Sequence, residues 1–218
     1  AAAASLNTAR SVKLKGDFSY ASDNLQGEVT VTRGGHATGT VNWNGDNVTL
    51  LAADRKVFVK APKSYWTSKL SSLSSNSFLK DGDQWGRVRD SELSLRFDSH
   101  LTPSALTTRL RQVSRYNITE TETTVQGQKA YRIRSSLYTV YISENDELLR
   151  YESTVSPRVR ADVEAQSSSD TTATINQMRS TIDEFGDAFD AGRTPRNVAK
   201  PEFVSCSRGG QPCTVRVR

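Results

Sequence analysis

From Ser11 to Tyr20 an apolar or small side chain takes every second place: Val12, Leu14, Gly16, Phe18 and Tyr20 alternate with polar neighbours. A period of two is the mark of a strand with one buried face. The same period recurs in Asn24–Arg33 (Leu25, Val29, Val31), His36–Trp43 (Ala37, Gly39, Val41, Trp43), Val48–Ala52 and Lys56–Lys60 (Val57, Val59). Gly34-Gly35, Asn44-Gly45-Asp46 and Asp54-Arg55 separate these runs and carry turn chemistry. Turn signals about every eight to twelve residues predict an antiparallel meander.

The pattern changes after Pro62. Trp66, Leu70 and Leu73 fall at helical spacing, so a short amphipathic helix is expected there, ending in the serine-rich run Ser71–Ser77. Gln84–Val88 predicts a brief strand, and Ser91–Leu101 is ambiguous. Thr102-Pro103 is a helix start, with Thr102 as cap and Pro103 at the first helical position. Ala105, Leu106, Leu110 and Val113 form the stripe of that helix. Strands then resume over Tyr116–Thr124, Ala130–Ser135, Leu137–Ile142, Leu148–Thr154 and Val155–Ala165. A second long helix is expected over Asp170–Phe189 from Ile175, Met178, Ile182 and Phe185, stopped by Gly192 and Pro195.

About ten antiparallel strands make a sheet long enough to curl. The fold expected is α+β: a long curved antiparallel sheet, or half-barrel, with helices packed on its concave face. Residues 1–10 read as an anchor-proximal linker and 11–192 as the half-barrel domain. Residues 193–218 read as a linker and the start of a disulfide-containing β module.

Composition sharpens this picture. Only 35% of the 218 residues are hydrophobic, which suits a sheet with one polar face better than a core buried on all sides. The net charge is +5, yet the basic residues are dispersed as pairs such as Lys13/Lys15, Arg132/Arg134 and Arg158/Arg160. On strands, that spacing decorates one solvent face. Neither a basic cluster with interleaved aromatics nor a recognition helix is present, so nucleic acid is not an expected partner.

The two cysteines, Cys206 and Cys213, flank Gly209, Gly210 and Pro212. A metal site needs about four ligands, and His36 and His100 lie far away in sequence. A small disulfide is the favoured reading, which implies an oxidising compartment. The opening Ala1-Ala-Ala-Ala-Ser5 has no Met, charged segment or apolar stretch ahead of it. It is expected to be a mature form whose signal or anchor lies outside this sequence, and the strand-like Cys213–Arg218 is expected to continue beyond it. An extracytoplasmic protein, secreted or surface-anchored, follows.

Catalytic motifs are missing from the sequence. There is no nucleophile elbow, phosphate loop or zinc-binding helix. His36 and His100 read as surface or turn histidines, and Asp81/Asp83 and Glu144–Glu147 as turn residues. The aromatics Trp43, Tyr65, Trp66 and Trp85 are core residues or walls of an apolar cavity. No enzyme, cofactor or metal is expected.

A series of segments carries a resemblance over roughly residues 11–155. Val12-Lys-Leu-Lys-Gly16 is followed by Ala37-Thr-Gly39, Val48-Thr-Leu-Leu51, Asp54-Arg-Lys-Val-Phe-Val-Lys60 and Tyr65-Trp66. Then come the helix at Pro103–Val113, Thr124-Val-Gln-Gly127-Gln-Lys-Ala130-Tyr-Arg-Ile133 and Leu148-Leu-Arg150. This order resembles actinobacterial envelope lipoproteins, the group containing mycobacterial lipoproteins whose open half-barrel carries acylated glycolipids. Those are similar in shape to the lipoprotein carrier of the Gram-negative periplasm. The resemblance implies helices seated in the sheet's concavity and a lipid or lipid-linked glycan as ligand, and it transfers no catalytic residue. Candidate cavity-lining residues are Leu14, Phe18, Val29, Val31, Val41, Trp43, Val57, Val59, Trp66, Leu70, Leu106 and Leu110.

The expected function is non-catalytic binding or transfer of such a ligand at the cell envelope, with the membrane surface reached through an anchor outside this sequence. The alternative is an interaction or sensing module of a larger membrane-anchored surface protein, without lipid.

Overall fold

A computed structural model describes residues 1–69, 82–88, 93, 95–113, 115, 118–190, 202–205 and 214–216. Helix α1 (Ala2–Thr8) leads into β1 (Ser11–Tyr20), β2 (Asp23–Thr32), β3 (Ala37–Trp43), β4 (Asp46–Ala53) and β5 (Lys56–Pro62). Then come α2 (Lys63–Lys69), β6 (Asp83–Arg87), α3 (Phe97–His100) and α4 (Pro103–Val113). The second run of strands is β7 (Thr119–Val125), β8 (Gln128–Arg134), β9 (Tyr138–Ser143), β10 (Leu148–Ser153) and β11 (Arg158–Ala165). Helix α5 (Ser168–Asp183), a 3₁₀ turn at Glu184–Asp187, β12 (Phe189–Asp190), β13 (Glu202–Ser205) and β14 (Thr214–Arg216) follow.

Two antiparallel meanders, β1–β6 and β7–β11, are joined where β11 pairs with β1, with Leu14 opposite Val163 and Phe18 opposite Val159. The resulting sheet runs β12-β6-β5-β4-β3-β2-β1-β11-β10-β9-β8-β7 and stays open; only β12 is parallel to its neighbour. The fold is α+β, a long curved antiparallel sheet with helices on its concave face. Strands β13 and β14 pair in a separate two-stranded sheet, with Phe203 opposite Val215. No helix among the described residues is long and apolar enough to cross a membrane.

The period-two pattern places Val12, Leu14 and Phe18 in register with Val31, Val29 and Leu25. These join one buried cluster with residues of the four helices on that face: Leu6 of α1, Tyr65 and Trp66 of α2, Phe97 of α3, and Leu106, Leu110 and Val113 of α4. Thr102 starts α4 as its residue type predicts, accepting the amide hydrogen bond of Ala105 on Oγ1 at 3.1 Å. Residues 1–10, expected as a linker, instead form α1, whose Ala2 and Leu6 lie one turn apart and are buried in the core.

Helix α5 is the exception to concave packing. Leu51 pairs with Phe58 on the face opposite Leu50 and Val59, so β4 and β5 are apolar on both sides. Met178 of α5 covers this outer strip together with Leu51 and Trp85. The Phe185 ring lies 4.6 Å from that of Phe58 and 5.0 Å from that of Trp85. Elsewhere the outer face is mostly polar, apart from a small cluster of Val125, Ala130, Leu149 and Tyr141 on the second meander. Lys13 meets Glu28 at 3.1 Å, and Arg150 meets Asp162 at 2.6 Å.

Neighbouring strands approach one another closely at three glycines. Gly16 and Gly27 are direct partners, and Gly39 sits diagonally from Gly27 across the β2–β3 ladder. A Cβ on Gly16 would lie 2.1 Å from the Arg160 carbonyl oxygen, and one on Gly27 2.4 Å from that of Thr40. One on Gly39 would lie 2.1 Å from the Glu28 carbonyl oxygen. All three contacts are to backbone of the adjacent strand, an approach that only glycine permits.

Candidate functional site

Most residues expected to line a cavity are core. Leu14, Phe18, Val29, Val31, Val41, Trp43, Val59, Trp66, Leu106 and Leu110 come together in the main cluster and are buried beneath the helices, with Val57 packed against it. Leu70, Cys206 and Cys213 lie outside the described residues, and with them the predicted disulfide. Of the described candidates, Val57 alone lines the open groove described next.

That groove has a volume of ≈ 570 Å³ and lies where the β4–β5 turn meets α3. Tyr20, Ala52, Val57, Val88, Leu93, Leu95 and Phe97 give it an apolar side, beside a comparable share of polar surface. Its rim carries Arg55, Lys56, Arg96 and Asp98, three cations to one carboxylate. Each element is held by a specific local device. Asp54 and Arg55 form the two-residue turn between β4 and β5, both at positive φ (50° and 62°). Such a turn normally uses Asn-Gly, and a bulky side chain in that region is uncommon.

Helix α3 is seated against the β2–β3 turn, where a Cβ on Gly35 (φ 85°) would lie 2.6 Å from the Asp98 Cβ. Arg96 donates through Nε to Asp98 Oδ1 at 3.1 Å and through Nη2 to Oδ2 at 2.8 Å. These charge-assisted bonds outweigh desolvation and, with the fields of Arg96 and Arg55, hold the Asp98 carboxyl below its ordinary range.

His100 closes the other end of α3. Its ring stacks on Tyr20 at 5.4 Å and 28°, and its Nδ1 accepts the Arg96 amide hydrogen bond at 3.3 Å. Burial, then the charge of Arg109, push its pKa below the ordinary 6.5, with Asp98 opposing and Arg96 adding to the shift. The folded state therefore prefers neutral imidazole. That contribution to stability is complete above pH 6.5 and is lost as pH falls from there through the lower folded value. The chemical-denaturation midpoint is expected to fall between about pH 7.5 and about pH 5 by more in the wild type than in His100→Asn. Equal pH dependence in the two proteins would remove His100 from this role.

A second groove, ≈ 630 Å³, lies beside α1, β1 and β11. Lys13, Lys15, Glu28, Glu147, Asp162 and Glu164 are its charged lining residues. Lys13 is spent on Glu28 and Asp162 on Arg150, so these charges largely answer one another. No group of three or more His, Cys, Asp or Glu among the described residues is placed to hold a metal ion. The His36 ring lies 3.9 Å from the Asp54 carboxylate.

Sequence reasoning missed Arg55, Lys56, Leu93, Leu95, Arg96 and Asp98 as site residues. Arg55 sat in a segment read as a plain turn, and Lys56 at the start of the strand read after it. The alternation Leu93, Leu95, Phe97 within Ser91–Leu101 was the available signal. The chain matches no protein-family model and no curated protein sequence.

Proposed function

We propose that this protein is a non-catalytic extracytoplasmic domain that binds or transfers a lipid or lipid-linked glycan at the cell envelope. The observation that carries the reading is the groove between the β4–β5 turn and α3. Its apolar side adjoins the main core, its mouth is open, and its ≈ 570 Å³ falls in the range of small-molecule sites, about 300–1,000 Å³. The resemblance to actinobacterial envelope lipoproteins points the same way.

One observation favours a second reading, an interaction or sensing module without lipid. The helices cover the deep core so completely that Leu14, Val29 and Val59 are 0% exposed. Native mass spectrometry and solvent extraction of purified protein separate the two. The carrier predicts a co-purifying lipid, or saturable uptake of the neutral apolar dye Nile red that a long-chain alcohol displaces. Protein that carries no lipid and takes up no dye is the module.

A further inference from the structure

Resting on that reading, we infer that the groove takes amphiphiles with an anionic headgroup, a carboxylate or phosphate monoester, held at the rim by Arg55, Lys56 and Arg96. The apolar side accepts the chain, and the rim sets its polarity. Among the described residues neither Arg55 nor Lys56 has a carboxylate partner, although Asp98 lies close enough for the field of Arg55 to be felt there. Asp98 already shows the geometry that Arg96 offers an anion, because its two oxygens take the fork of the guanidinium at 3.1 and 2.8 Å. A ligand oxygen arriving from the open side meets Arg55 and Lys56, and among the described lining residues the cations exceed the carboxylate by two.

The turn itself argues for a role of Arg55 outside folding. At φ 62° an arginine is a poor choice where glycine is unstrained, and outliers of this kind gather at ligand sites. Arg55→Gly therefore relieves the backbone while removing the charge, so lost binding in that variant is not lost folding.

The test uses the purified chain, wild type and the double variant Arg55→Gly/Lys56→Gln, titrated with three probes: dodecyl phosphate, dodecyl maltoside below its micelle concentration, and inorganic phosphate. The wild type is expected to bind dodecyl phosphate at least about tenfold more tightly than the maltoside, the scale of one charge-assisted hydrogen bond. The variant is expected to lose that preference, its affinity for dodecyl phosphate falling to that for the maltoside, and to melt no lower. Equal binding of the two detergents by the wild type, or a preference that survives in the variant, overturns the headgroup inference and leaves the lipid reading standing. Inorganic phosphate binding as tightly as dodecyl phosphate overturns the amphiphile and assigns the rim to a free anion. Failure of both detergents to bind overturns the lipid reading itself.

Discussion

Gly16→Ala is expected to destabilise the protein by at least about 3 kcal/mol and to lower its melting temperature by roughly 6–12 °C. The added methyl would lie 2.1 Å from the Arg160 carbonyl oxygen and 2.7 Å from the Ala161 Cα, both backbone atoms of β11. A flexible side chain can swing away from such a contact; a strand inside a paired ladder cannot. Relief requires β1 and β11 to separate, and that pairing is the seam joining the two meanders. Gly27→Ala meets the Thr40 carbonyl oxygen at 2.4 Å and is expected to behave alike. The control is Gly45→Ala, at φ 102° with nothing within 4 Å. It carries backbone strain alone, of order 1 kcal/mol. Thermal and urea unfolding of the three variants decide the matter. If Gly16→Ala melts no lower than Gly45→Ala, the close approach of strands at this glycine is not what shapes this sheet.

These glycines also show what the sequence made legible and what it hid. Alternation along Ser11–Tyr20 and its successors marks strands directly, because a two-residue period is local and the turns between are short. The inward placement of Gly16 and Gly39 is legible too, as positions on the apolar face. Their purpose is not, since it arises from the approach of another strand, β11 in the case of Gly16. Helix α5 was legible as a helix but not in its placement. Its docking depends on Leu51 and Phe58 facing outward, a departure from alternation that the pair Leu50-Leu51 records only faintly. Helix α1 went unseen because an alanine-rich stretch has helix propensity without an apolar stripe strong enough to stand out. The groove is the least legible feature. It draws on Tyr20, on Ala52 and Val57 either side of a turn, and on Leu93, Leu95 and Asp98, positions that share no period and lie far apart in sequence.

Trp66→Ala is expected to cost about 3–5 kcal/mol, a large part of the 5–15 kcal/mol typical of a folded domain. It should lower the melting temperature by roughly 6–20 °C. Trp66 is 1% exposed and sits on α2, directly after β5, so its ring fixes the helix onto the sheet. It packs edge-on against Tyr65 at 4.9 Å and 86°, and Tyr65 in turn lies 6.3 Å from Trp43 of β3. Truncation removes one end of this aromatic row and leaves a void between helix and sheet. What fills the void distinguishes a lid from a plain core. If the helical layer covers a surface built to receive apolar chains, dodecyl phosphate is expected to recover part of the lost stability. A ligand at a hundred times its dissociation constant contributes about 2.7 kcal/mol, or roughly 5–11 °C here. The rescue should exceed any shift the same probe gives the wild type. A variant that is destabilised as expected, but whose melting the amphiphile leaves unchanged, makes the helices ordinary core elements. Lipid recognition would then be confined to the groove at the edge of α3.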